Sequence, residues 1–137
     1  MPAEIIEHSN TVEECYEFML AYAAQGHPSD RGSKAGAQIR EFLQHAATAI
    51  AALTEGYSKV VKEERLEPAE KYHAFLAVLD RDARNSLAAI DLVLAQPSIS
   101  SQLVDNLNAS VHLRALLTDL FLVSDILGSH LASRQIR

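Results

Sequence analysis

The sequence of 137 residues has one cysteine, no tryptophan and only 6% aromatic residues. It also lacks the regular alternation of apolar and polar residues that half-buried strands show, which argues against β-sheets. A single cysteine, Cys15, excludes a framework of intrachain disulfides and is typical of a reducing compartment. We therefore expect an all-α, cytoplasmic chain.

Positive charge is also scarce. Twelve Lys and Arg stand against eighteen Asp and Glu, so the formal net charge is −6 at pH 7. Binding to nucleic acid depends on clustered positive charge, and the sequence has no such cluster. The first 26 residues carry five glutamates without the basic start of a secretory signal. No apolar run is expected to reach the ~18 residues that span a bilayer. The sequence predicts neither a nucleic acid nor a membrane as partner.

Size and composition indicate one globular domain over residues 1–137. Apolar residues make up 48% and charged residues 22%, close to the average of folded soluble chains. A chain of this length buries roughly two thirds of the surface that it exposes when unfolded, which is enough for one core.

Helical periodicity begins with two segments. Helix 1 is expected from Asn10 to Gln25, with Asn10 and Glu13 as a capping pair and Gly26 in the left-handed position after the last turn. Helix 2 is expected from Ser33 to about Glu64. Its apolar residues are spaced alternately by four and three, the seam of left-handed bundle packing, at Ile39, Leu43, Ala46, Ile50, Leu53, Tyr57 and Val60.

Two more helices follow. Pro68 ends the charged stretch after helix 2 and suits the first turn of helix 3, which is expected to run to Ala95 and to stop before Pro97. Helix 4 is expected from Leu103 to Leu131, with a break near Asn108 as an alternative. The predicted fold is an antiparallel four-helix bundle, or a five-helix bundle where helix 4 is split.

The stretch GHPSDRGSKAG, residues 26–36, raises the question of a phosphate-binding loop. It lacks the spacing of a Walker motif, Lys34 is followed by Ala35, and no strand precedes it. An anion site at the start of helix 2, held by Arg31, Lys34 and Arg40, is one hypothesis. The favoured interpretation is a plain joint between helices 1 and 2.

Metal ligands were sought among histidine, cysteine and carboxylates. Glu70 and His73 have the Glu-x-x-His spacing of di-iron bundles, but the motif occurs only once. Helix lengths place Cys15, His45 and His112 at one height, near Asp82, yet only Cys15 faces the core. These are weak candidates. We expect Cys15 to be a buried core thiol, and we expect neither a metal nor another cofactor.

Helix 4 is apolar over an unusually wide arc. Leu113, Leu116 and Leu120 belong to an inward stripe, whereas a second set continues around the side and is predicted to form a subunit interface: Val111, Ala115, Leu122 and Ile126. Burial of helix 4 at the centre of its own domain is the alternative.

Two classes of function remain open. The first is a non-enzymatic homo-oligomer, most simply a dimer, that binds another protein in a regulatory, chaperone or assembly role. The second is a bundle that binds a small ligand or a metal, with enzymatic activity as one option. It would use a cavity lined by Tyr16, Met19, Tyr57, Tyr72 and Phe75, with His73, Glu55 or Cys15 as polar groups. The absence of a complete catalytic motif favours the first class.

Overall fold

The structure, a computed structural model, describes the backbone of residues 1–136 and the side chains of residues 1–133. Within this range all regular elements are helices, and the predicted all-α bundle is confirmed. The five helices are α1 (Ala3–Ala24), α2 (Lys34–Glu63), α3 (Ala69–Leu94), α4 (Ser101–Ala109) and α5 (His112–Ile136).

The long helices are antiparallel neighbours. Phe18 of α1 stacks on Phe42 of α2 with ring centroids 4.5 Å apart. At the other end of the same pair, Ile5 approaches Gly56, where an added Cβ would lie 3.1 Å from the Ile5 side chain. α2 then packs on α3, and α3 packs on α5. The predicted seam of α2 is buried along its whole length.

The start of α1 differs from the prediction. The helix begins at Ala3, so Asn10 and Glu13 lie inside it and form no cap. Ile5 is buried against α2, and this contact extends the helix well before the local capping pattern. Gly26 does follow the helix in a left-handed conformation, with φ of 72°, as expected.

The predicted last helix is split in two, which was the stated alternative. α4 begins after Ser100, whose hydroxyl accepts a hydrogen bond from the N–H of Leu103 at 3.0 Å. It ends before Ser110, and the chain turns at Val111, which has a φ of 62°. α4 packs against α1, whereas α5 turns away to pack mainly on α3.

A partly buried ion pair between Asp30 and Arg40 joins the α1–α2 loop and the start of α2 to the α3–α4 loop. Asp30 accepts hydrogen bonds from the Nε of Arg40 at 2.5 Å and from the N–H of Ile99 at 2.6 Å. Arg40 also donates to the carbonyls of Leu94 and Gln96, which end α3. Burial would raise the pKa of Asp30, but the Ile99 N–H and the Arg40 guanidinium outweigh it and hold the pKa below its ordinary value. We call these five residues the loop clasp.

Hydroxyl groups extend the same connection. Ser101 donates to the carbonyl of Tyr22 at 2.6 Å and accepts from the N–H of His27 at 2.7 Å. The buried phenol of Tyr22 donates to the carbonyl of Ile99 at 2.7 Å. Residues 26–36 therefore serve as a joint that anchors α4 against the end of α1.

We expect Gly36→Ala to lower the free energy of unfolding by about 1–3 kcal/mol, because its Cβ would collide with the backbone of Asp30 in the loop clasp. The matched control is Gly128→Ala in α5, where nothing lies within 4 Å of the added atom. Without a clash, alanine stabilises a helix relative to glycine by up to about 1 kcal/mol. Urea denaturation followed by circular dichroism compares the two variants, and equal effects would contradict the collision.

Candidate functional site

α5 has one main neighbour in the bundle, α3. Its inward stripe is buried, as the sequence predicts, at Leu113, Leu116, Leu117, Leu120, Val123 and Leu127. The opposite side stays open, because α5 packs mainly on α3 and only lightly on α1 and α4. One polar contact reaches α2, where the hydroxyls of Tyr57 and Ser124 lie 2.6 Å apart.

The outer face of α5 is apolar and exposed. We define it by the residues predicted as an interface, which are Val111, in the turn just before α5, and Ala115, Leu122 and Ile126 within it. Leu122 is 50% exposed and Ile126 is 39% exposed, while Ala115 is half-buried. Val78 on α3 is also exposed. It lies one turn before Asp82, whose side chain meets α5, so it borders this face. The described part of the chain therefore leaves several large apolar side chains on this side of α5 uncovered.

The composition of α5 also bears on membranes. The segment from His112 to Ser133 has a mean hydropathy of 1.4, and by length and composition alone it is long and apolar enough to cross a bilayer. The sequence predicted no apolar segment long enough to span a bilayer, and α5 differs from that expectation. About 28% of it is buried in the bundle. The core helix of a soluble protein can have the same length and hydropathy.

A pair of carboxyl groups lies where α3 meets the outer face. Asp119 of α5 approaches Asp82 of α3 closely enough for the two groups to share a hydrogen bond. Burial, and then the hydrogen bond and charge of Asp82, raise the pKa of Asp119 to about 7. Apart from the carboxyl group of Asp82, the buried Oδ2 atom of Asp119 has no hydrogen-bond partner among the described residues.

An unpartnered group lies on the same strip of α3. Ser86 is one turn after Asp82 and only 1% exposed, and its hydroxyl finds no hydrogen-bond partner in the described range. Buried polar groups are normally paired, so α3 carries an unsatisfied hydroxyl one turn beyond Asp82.

Sequence reasoning missed the carboxyl pair. It placed Asp82 only near the height shared by Cys15, His45 and His112, whereas the nearby Asp80 and Arg84 form an exposed ion pair with 2.8 Å between Nε and Oδ2. It did not single out Asp119. The signal in the sequence was the position of Asp119 inside an apolar stripe, because it follows Ala115 by four residues and precedes Leu122 by three.

The candidate metal ligands stay apart. The described residues contain no group of three or more His, Cys, Asp or Glu arranged to hold a metal ion. Cys15 is fully buried in the core, whereas His45, Glu70 and His73 are exposed and His112 is half-buried. The expected common layer fails because α4 shifts the register, so that Asp119 and not His112 lies level with Asp82.

The candidate anion ligands have other roles. Arg40 belongs to the loop clasp. Arg31 donates to the carbonyl of Pro97 at 3.3 Å, and Lys34 is exposed at the first turn of α2. The hydroxyl of Ser33 accepts from the N–H of Gly36 at 2.9 Å and so caps that helix. Arg31 and Arg40 therefore both donate to backbone carbonyls between Leu94 and Pro97, where the chain leaves α3.

The residues suggested for a ligand cavity are likewise dispersed. Met19 and Tyr57 are fully buried in the core, while Tyr72 and Phe75 are half-buried and Glu55 is exposed. Tyr16 instead lines an open groove of about 380 Å³ between α1 and α5. The other residues of this groove are Glu13, Glu17, Leu20, Arg114, Leu117, Thr118 and Phe121.

Comparison with protein-family models, with curated proteins and with solved structures finds no match for this chain. Its function must be inferred from its own geometry.

We expect Cys15 to behave as an inert core thiol. It is fully buried, and burial raises its pKa to about 12, so almost no thiolate forms at neutral pH. A bulky thiol reagent should modify the native protein only as fast as it unfolds. Cys15→Ala should change the free energy of unfolding by ~1 kcal/mol and leave the oligomeric mass unchanged. Rapid labelling without denaturant would contradict this prediction.

We expect Asp119 to make stability depend on pH. Its pKa in the folded chain, about 7, lies above its ordinary value of 3.8, so the neutral carboxyl favours the fold. This contribution is complete below about pH 4 and is lost as the pH rises through about 7. Asp119→Asn, measured by urea denaturation, should therefore gain stability relative to wild type at about pH 8 and not at about pH 5.

The matched control for this titration is Asp91→Asn. Asp91 is exposed on α3, so the substitution changes the net charge equally without touching the carboxyl pair. The same pH profile in both variants would contradict the assignment to Asp119.

Proposed function

We propose that the protein is a cytoplasmic homodimer formed through the outer face of α5, and that it acts by binding another protein and not as an enzyme. The observation that carries the proposal is the apolar side of α5 that the bundle leaves uncovered. Exposed apolar surface of this kind typically marks an association site. A regulatory, chaperone or assembly role is consistent with such a dimer.

The outer face is complementary to itself in an antiparallel pairing. Val111 and Ile126 lie equally far from the midpoint between residues 118 and 119, and so do Ala115 and Leu122. A two-fold axis at that midpoint would therefore place Val111 opposite Ile126, and the small Ala115 opposite the large Leu122, of a second copy. Two-fold pairing is the commonest closed arrangement of identical chains.

Charge at the rim supports the same pairing. Arg114 and Asp125 are exposed on α5, on the side of the outer face away from α3. Their midpoint falls within one residue of the proposed axis, so each would come near the opposite charge of the second copy. Such rim pairs favour register and orientation more than affinity.

The proposed partner is a second protein because the surface outside this interface is acidic. α1 contains five glutamates and no lysine or arginine over Ala3–Ala24. The dispersed positions of the candidate ligands support a binding role over catalysis, since chemistry needs several groups at one point.

We expect the wild-type protein to show twice the 15.0 kDa mass of one chain by light scattering coupled to size exclusion. Leu122→Glu and Ile126→Glu would bury an unpaired charge in the interface and should yield folded monomers at micromolar concentration. Ile6→Glu is the matched control, because Ile6 is an apolar residue with 47% exposure on a different helix, α1. It should keep the dimeric mass.

Two outcomes would contradict the proposal. One is a single-chain mass for the wild type at neutral and mildly acidic pH, and the other is an Ile126→Glu variant that keeps a dimeric mass. Flotation with anionic and neutral lipid vesicles tests whether a membrane covers the outer face instead. The outer face would be assigned to a membrane surface if the wild-type protein is monomeric without lipid, binds the vesicles, and loses this binding in Ile126→Glu.

A further inference from the structure

We propose that dimerisation through α5 is coupled to proton uptake at the Asp82–Asp119 pair, so that acidification through neutral pH drives association and alkaline pH reverses it. This inference rests on the proposed dimer and adds a mechanism of regulation to it. It concerns two side chains that no catalytic or ligand-binding role occupies.

The position of Asp119 is the first step. It follows Ala115 by four residues and precedes Leu122 by three, so it lies along the outer face on the side towards α3. It also lies next to the midpoint about which the outer face is self-complementary. In the two-fold pairing proposed above, each Asp119 therefore meets the Asp119 of the second copy beside the axis.

Desolvation is the second step. In the single chain the Asp82–Asp119 contact already contains a buried Oδ2 atom with no partner among the described residues apart from Asp82, one turn of α3 away from the unpartnered hydroxyl of Ser86. A second copy would remove more water from this contact and add a second carboxyl pair. Both changes disfavour ionisation. Two ionised pairs beside the axis would repel each other, whereas a protonated carboxyl can donate a hydrogen bond across it.

The resting state of the pair sets the range in which the coupling operates. The pKa of Asp119 is about 7 before any second copy is present, so its carboxyl is partly protonated at neutral pH. Because association raises this pKa further, the dimer binds more protons than two separate chains. Affinity must then fall as the pH rises.

Each element packed against α5 carries other charged groups. On α3, Arg81 is exposed next to Asp82. On α1, Glu13 and Glu17 line the groove on the other side of α5. On α4, Asp105 is exposed. On α5, His112 lies two turns before Asp119 on the same side, with Arg114 and Asp125 farther round the helix. Among all these groups, only Asp82 contributes to the pKa shift of Asp119 alongside burial.

Sedimentation velocity from about pH 6 to about pH 8.5, at constant ionic strength, tests the coupling with the full chain. We expect the dissociation constant of the dimer to rise about tenfold or more per pH unit above neutrality, the slope for one or two protons per dimer. Isothermal dilution calorimetry in buffers of different ionisation enthalpy provides a second readout, because it counts those protons directly.

Variants separate the carboxyl pair from other titrating groups. Asp119→Asn should dimerise more tightly than wild type at about pH 8, with a nearly flat pH dependence and no proton uptake. Asp82→Asn should shift both measurements in the same direction. His112→Gln and the charge control Asp91→Asn should keep the wild-type slope, which distinguishes the pair from histidine titration and from the general effect of net charge.

The outcomes distinguish this inference from the proposed function. A wild-type dimer with a pH-independent dissociation constant, or a steep slope that persists in Asp119→Asn, overturns the coupling and leaves the dimer intact. A slope lost in His112→Gln assigns the proton to His112 and also overturns it. A wild-type chain that stays monomeric at every pH overturns both proposals.

Discussion

The loop clasp is the interaction on which the rest of the architecture depends. Asp30 binds Arg40 and the N–H of Ile99, while Arg40 holds the carbonyls that end α3. The chain leaving α3 is thereby fixed beside the end of α1, and Ser101 begins α4 there. Breaking one member would leave a buried charge without its partner, which costs far more than the net contribution of the intact pair.

The position of α4 determines what α5 can touch. Because α4 occupies part of the side of α1, α5 packs firmly only on α3 and leaves a groove towards α1. A fourth helix in a regular bundle would bury one stripe between two neighbours. α5 instead has one close neighbour and an apolar arc wider than that neighbour covers, so its exposed surface follows from the connection that precedes it.

The sequence predicted correctly those features of the helices that depend on neighbouring residues or on a regular apolar spacing. The spacing of Ile39 to Val60 gave α2 its buried face, and Gly26 marked the end of α1. The start of α1 was missed because it depends on Ile5 reaching Gly56, a contact far apart in sequence. The Asp82–Asp119 pair was missed for a similar reason. Its register depends on α4, whose nine residues shift α5 along α3 relative to a simple hairpin.

Two local costs coincide on the outer face of α5. Val111 has a φ of 62°, a left-handed conformation that a β-branched residue adopts only with strain, and glycine or asparagine would fit it better. Its side chain gains little in return within one chain, because it is 46% exposed. Asp119 is the second cost. Burial and the neighbouring Asp82 raise the pKa of its carboxyl group, because both disfavour the ionised form, whereas an apolar side chain at this position would carry no such penalty. A second copy over this face would bury Val111 and give the protonated Asp119 a partner, which makes both features intelligible as parts of an interface.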